Sequence, residues 1–167
     1  MKMPKYPLQT VLELRQRERD AAQEALSDAI AAEARERERL AQLEEERRAG
    51  ERELEARRNG LYDPPEKGVL DVALIDRRRS EVKFLEAKQL ERERAVEAQQ
   101  RAVSDAAAAV LAAREALTAA AQALTAIEKH QEKWREGVLA EMRRKEELQI
   151  QEIATSRFAA ARREEEP

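Results

Sequence analysis

The chain has 167 residues, of which 40% are charged and 3% aromatic, so it has few large side chains with which to fill the core of a thick globular domain. Ala, Glu, Arg and Leu dominate, as they do in long helices and coiled coils. The 32 basic and 35 acidic residues nearly balance, and the sequence holds no cysteine and one histidine. These counts argue against a nucleic-acid partner, disulfides, ordinary zinc sites and a bound cofactor.

The first predicted helix runs from about residue 8 to residue 58. Its seven-residue repeat is interrupted by charge in every second layer: Leu12, Arg19, Leu26, Glu33, Leu40, Arg47 and Leu54. Ion pairs four residues apart are expected to add about 0.2–0.5 kcal/mol each. The candidate pairs are Glu13/Arg17, Glu33/Arg37, Glu44/Arg48 and Glu53/Arg57. We therefore expect a helix that is stable locally but weakly specified in register.

A turn is predicted at residues 59–68, where two prolines and two glycines fall within ten residues. Asn59-Gly60 suits a helix C-terminus, and Asp63 before Pro64 suits the start of the next helix. The chain is thus expected to be all-α, a long antiparallel two-helix coiled-coil hairpin with a protruding C-terminal helix, forming a single domain over residues 1–167.

The second predicted helix runs from about residue 69 to residue 163 and has the clearer repeat. One series is Ile75, Val82, Gln89, Val96, Val103, Val110, Leu117, Leu124, Gln131 and Val138. A companion series includes Leu85, Ala106, Ala113, Ala120, Ile127 and Trp134. Such a repeat predicts packing against another helix along its length. A symmetric fold-back would place Leu8 near residue 120 and leave about forty residues unpaired; self-association of two chains would satisfy the same repeat.

Beyond Val138 the repeat loses phase while apolar residues continue. They are Met142, Ile150, Ile153, Ala154 and Phe158. An apolar stripe without a partner on a protruding helix indicates a docking surface; fraying or self-pairing is the alternative.

Other residue groups give weaker signals. His130 and Trp134 share a helical face, more in keeping with a core position than with a binding anchor. The triplet Arg77-Arg78-Arg79 suits a solvated face better than an acidic partner. Tyr62 fits a contact residue or simple turn packing equally well. No nucleophile–base pair or glycine-rich phosphate loop is present, so the pattern favours neither an enzyme nor a small-molecule site.

Both ends of the chain resemble the FliJ family of flagellar export proteins and its injectisome counterpart, YscO. The start, Tyr6-Pro7-Leu8-Gln9-Thr10-Val11-Leu12-Glu13-Leu14-Arg15, is similar to the family's opening aromatic, leucine and Leu-Leu-x-x-Arg-like segment. The end is similar through Arg143-Arg144-Lys145-Glu146-Glu147, then Gln151-Glu152-Ile153-Ala154 and Arg157-Phe158. Gln151 departs from the Asp that is common there.

The resemblance implies a non-enzymatic stalk that enters the ring of the hexameric export ATPase, contacts the cytoplasmic domain of the export gate and cycles export chaperones. It implies ATPase contacts at Met142, Ile150, Ile153, Arg157 and Phe158. Gate contacts would fall near the turn, at Tyr62, Val72, Ile75 and Val82, although Ile75 and Val82 also fit the hairpin core.

The expected protein is monomeric and cytoplasmic, peripheral to the membrane-embedded export apparatus. The opening residues contain no apolar signal-peptide core, and the longest apolar run, from Ala106 to Ala113, is short for a membrane span. A general helical-hairpin chaperone and a structural coiled-coil dimer or spacer are the alternative functions.

Overall fold

The computed structural model describes residues 3–164, with side chains as far as Phe158. This part of the chain forms two α-helices and no strand: α1 is Gln9–Asn59 and α2 is Val72–Glu164. The helices pack against each other, which confirms the all-α helical hairpin.

The predicted seven-residue repeat of α2 lies against α1, and we call this repeat and its companion series the seam. All ten positions from Ile75 to Val138 are buried or half-buried, as are the companion positions from Arg78 to Trp134. The buried apolar side chains of the described residues are Tyr6, Leu12, Leu54, Val96, Val110 and Leu124. Each keeps 5–8% of its surface exposed, because two helices alone cannot enclose a side chain completely.

The contacts divide the chain into two groups, each containing part of both helices. The turn group is residues 24–115, and the end group is residues 3–23 with 116–164. In the turn group, Gln99 Nε2 donates to the Glu36 carbonyl oxygen at 3.0 Å, and Gln89 Nε2 donates to that of Arg47 at 3.2 Å. Residues later in α2 thus meet residues earlier in α1, which makes the pair antiparallel.

The helix register differs from the expected symmetric fold-back. In the end group, Tyr6 contacts His130 and Trp134, so placing Leu8 near residue 120 was wrong. The reason lies at the turn, where the side chain of Arg78 contacts Gly60, the residue just after α1. The first residues of α2 therefore precede its pairing with α1, and fewer residues remain unpaired at the far end of α2.

The start of α2 also differs from the expectation. The Asp71 carboxylate accepts a hydrogen bond from the Leu74 backbone N–H at 2.8 Å, which makes Asp71 the N-cap. The cap expected at Asp63 was wrong, and the helix begins at Val72 rather than near residue 69. Gly68 adopts a φ of 97°, a conformation that L side chains rarely reach, so the backbone turns there before the helix starts.

Ion pairing follows the expected pattern at only one of four positions. Arg37 and Glu33 form the expected pair, with 2.5 Å between nitrogen and oxygen. The other three expected pairs are absent among the described side chains. Arg48 instead pairs with Glu45, and Arg57 with Glu81 of α2. Exposed side chains of this length have several partners within reach, and the differences in free energy between them are small.

By length and composition alone, α2 is apolar enough to cross a membrane. One 18-residue window within Val72–Phe158 reaches a mean hydropathy of 1.2, and 11% of that window is buried. The sequence pattern predicted no stretch apolar enough to span a membrane, because it considered only unbroken apolar runs. Alanine makes up half of residues 102–127 and raises the mean hydropathy there. A single helix of this composition is weak evidence for a span, because helices that pack in soluble proteins pass the same test.

Candidate interaction surfaces

The first candidate surface lies near the C-terminal end of α2. Every residue from Arg143 to Phe158 is exposed, whereas Met142 is half-buried. Ile150 exposes 66% of its surface and Phe158 exposes 73%. We call Met142, Ile150, Ile153, Arg157 and Phe158 the tail surface.

Helical geometry places most of the tail surface on one side of α2. At about 100° per residue, Met142, Ile150 and Ile153 fall within a quarter-turn of one another. Arg157 shares this side, whereas Phe158 lies about 80° beyond Ile150, toward the opposite side of the helix. Glu146 interrupts the stripe, so the surface combines apolar contact with charge rather than forming a continuous seam.

Two further exposed apolar residues near this end were missed by the sequence analysis. Leu139 lies on the same side of the helix as Ile150, and Leu148 lies on the opposite side. Continuing the stripe backward at intervals of three and four residues from Met142 would have found Leu139. Leu148 falls two heptads after Trp134, so continuing the companion series through Glu141 would have found it.

The second candidate surface is at the turn. Tyr62, Val69 and Val72 expose 59%, 83% and 73% of their surfaces, and we call these three residues the turn surface. Ile75 and Val82, which the resemblance also implicated, are half-buried at the first two positions of the α2 seam. The structure therefore brings Tyr62 and Val72 to the protein surface and leaves Ile75 and Val82 half-buried. Val69 was missed because it was assigned to the helix.

Two arginines of the basic triplet beside the turn, Arg78 and Arg79, make hydrogen bonds within the protein. The Nη1 atom of Arg78 lies 3.0, 3.2 and 2.7 Å from the carbonyl oxygens of Gly60, Leu61 and Asp63. Arg79 donates to the Tyr62 hydroxyl at 3.2 Å, and this hydrogen bond is the main reason that the pKa of Arg79 is raised. The carbonyl groups that Arg78 contacts belong to the turn just after the C-terminus of α1, where a cation is also favoured by the helix dipole.

An aromatic cluster joins the segment before α1 to α2. The Tyr6 hydroxyl and His130 Nδ1 are 2.7 Å apart, and the Tyr6 ring lies 5.3 Å from the Trp134 ring. Tyr6 is buried and Trp134 half-buried, whereas His130 is exposed. Trp134 thus occupies a seam position, which confirms the interpretation of this pair as core and flank rather than as a free binding anchor.

Two long antiparallel helices, a thin seam between them and apolar surfaces left open at the turn and at the tail define a helical-hairpin protein of the coiled-coil class. The model of the YscO-like protein family matches residues 3–164, and the chain belongs to this family.

The fold agrees with a solved structure of a candidate YscO homolog from Chlamydia trachomatis. The two share 22% sequence identity and superpose with a TM-score of 0.82, over 96% of this chain and 99% of the chlamydial chain. No curated protein sequence matches this chain. Membership of the YscO-like family identifies the protein as a component associated with type III secretion, in a family of structural proteins.

Proposed function

We propose that this protein is a non-enzymatic stalk and adaptor of a type III export apparatus. The tail surface inserts into the ring of a hexameric export ATPase, and the turn surface contacts the cytoplasmic domain of the export gate. Export chaperones bind along the hairpin. The protein acts as a monomer in the cytoplasm, peripheral to the membrane-embedded apparatus.

The observation that carries this proposal is the exposure of the whole segment from Arg143 to Phe158. A helix of this length is marginal in water unless a partner covers its apolar side. Covering Ile150, Ile153 and Phe158 would contribute about 1.5–3 kcal/mol each, enough for a specific complex once the cost of association is subtracted.

Charge on the same segment suits insertion into a protein ring. Arg143, Arg144 and Lys145 are followed at once by Glu146 and Glu147. Both signs are exposed within two helical turns, so the segment keeps its solubility before binding and offers either sign to polar groups on the ring. Buried apolar contacts would supply affinity, and the charges would supply orientation.

The test compares two sides of the same helix. The double variant Ile150→Asp/Ile153→Asp removes the apolar side of the tail surface, and Leu148→Asp adds the same acidic group to the opposite side. We expect the double variant to bind the purified hexameric export ATPase at least about tenfold more weakly and to lose stimulation of ATP hydrolysis. Leu148→Asp should stay within about twofold of the native protein.

Both variants must keep the native helicity by circular dichroism, which their exposed positions make the expected result. Stimulation by the double variant at the native level would rule out the tail as the ATPase contact. Equal losses in both variants would mean that acidity anywhere on the tail is harmful, and the proposed side of the helix would be wrong.

A further inference from the structure

We infer that Arg78 is the positioning residue of the turn surface, which it holds in the conformation that meets the export gate. The inference rests on the proposed function, because it deepens the gate contact proposed above. Arg78 takes no part in the contact itself; it acts through the backbone on either side of Tyr62.

The three residues of the basic triplet behave differently. Arg77 and Arg79 are exposed, whereas Arg78 is half-buried and stands at the position where the companion series of the α2 seam begins. At the following position of that series, seven residues on, stands an apolar residue, Leu85. An arginine is suited to this layer because the layer contains carbonyl oxygens of the turn that follows α1.

The hydrogen bonds of Arg78 enclose the anchor of the turn surface. Its partners are the carbonyl oxygens of Gly60, Leu61 and Asp63, so both neighbours of Tyr62 are tied to α2. Hydrogen bonds from a charged donor are stronger than those between neutral groups. The half-buried position also excludes part of the competing water. Tyr62 itself keeps 59% of its surface exposed.

A second link fixes the direction of the Tyr62 side chain. Arg79 donates to the Tyr62 hydroxyl from the next residue of α2. The other side of the turn surface is fixed by the Asp71 cap, since Val72 is the first residue of α2. The turn therefore presents exposed apolar groups on a backbone that is tied down at both ends.

A surface ordered in advance binds with less loss of conformational entropy than a mobile one. Ordering each immobilised side chain costs about 0.5–1.5 kcal/mol, which corresponds to a change of about two- to tenfold in Kd. Loss of Arg78 would transfer this cost to the binding step without removing any atom of the contact.

The experiment uses the full chain and the purified cytoplasmic domain of the export gate. Arg78→Ala removes the hydrogen bonds, Arg78→Lys keeps the charge with a shorter and less extended donor, and Arg77→Ala is the matched control on the exposed face. We expect Kd to rise about tenfold for Arg78→Ala, by a smaller factor for Arg78→Lys and hardly at all for Arg77→Ala.

Two further readouts separate positioning from a general loss of structure. Amide hydrogen exchange should accelerate in residues 61–71 of Arg78→Ala and stay native in the helical residues of the turn group. In a double-mutant cycle, Arg78→Ala and Tyr62→Ala together should weaken binding less than the product of their separate effects, because Arg78 acts through Tyr62.

Native affinity of Arg78→Ala, alongside weakened binding by Tyr62→Ala, would overturn the positioning role and leave the proposed gate contact intact. Faster exchange throughout the turn group would instead show a structural role alone and would also overturn the inference. If the native chain does not bind the gate domain, the gate contact of the proposed function fails and the inference falls with it.

Discussion

At the residue scale, polar side chains in the seam define which layers of the two helices meet. Gln89 is 5% exposed and donates to a carbonyl oxygen of α1, and Gln99 does the same one and a half heptads further along α2. Gly50 leaves room for this polar layer, since a Cβ atom there would lie 2.5 Å from Gln89 Oε1. A polar group in a coiled-coil seam costs stability but fixes register, because a shifted alignment leaves it unpaired.

Tyr6 offers a test at the same scale, because Trp134 is the only tryptophan and its fluorescence reports on the aromatic cluster. Tyr6→Ala should lower the free energy of unfolding by about 2–4 kcal/mol through lost burial. Tyr6→Phe should lower it by about 1 kcal/mol through the lost hydrogen bond to His130. Urea unfolding measures both values, and the emission of Trp134 should move to longer wavelength only in Tyr6→Ala.

Equal destabilisation by both substitutions would contradict this division between ring packing and the hydroxyl group. An unchanged Trp134 emission in Tyr6→Ala would show that Tyr6 does not cover the indole ring in solution.

At the element scale, the sequence contains two possible N-terminal caps for α2. Asp63 before Pro64 and Asp71 before Val72 both have the composition of a helix start. The structure uses the second, because Arg78 binds the backbone of residues 60–63 and keeps it in the turn. Contacts from 15 to 18 residues away thus decide between two local signals of similar strength.

The choice of cap predicts different results for two similar substitutions. Asp71→Ala should lower the free energy of unfolding by about 1 kcal/mol, the usual cost of a lost N-cap, whereas Asp63→Ala should change it by less than about 0.5 kcal/mol. Thermal unfolding followed by circular dichroism at 222 nm compares the two variants directly. A larger loss in Asp63→Ala would restore the cap expected from the sequence.

At the scale of the whole molecule, the tail is separable from the hairpin seam. The last half-buried residues of α2 are Val138 and Met142, and every residue from Arg143 to Phe158 is exposed. Exposed residues of this kind contribute hardly at all to the stability of the free protein.

Deletion of residues 151–167 should therefore leave the midpoint of urea unfolding within experimental error and reduce the helical signal only by the residues removed. The same deletion should abolish stimulation of the export ATPase, as the proposed function requires. A large shift of the unfolding midpoint would show that the tail packs against the hairpin in solution, and the tail surface would not be free to bind.

The sequence by itself determined the hairpin, both helices and the identity of the seam. Branched residues recurring every seven positions can be buried only on one side of a helix, so the series from Ile75 to Val138 specified its own packing side. The same reasoning identified the C-terminal apolar stripe, which falls outside that series, and the two ends of the chain carried the family resemblance.

Only the tertiary structure decided the register, the cap and the partners of the charged side chains. A heptad pattern is nearly unchanged by a shift of seven residues, so it fixes the side of a helix but not the layer that it meets. Tyr6 against Trp134 and Arg78 against the end of α1 settle that layer. These are contacts between residues far apart in the chain, whose free energies depend on where the turn ends, and a local pattern does not contain that information.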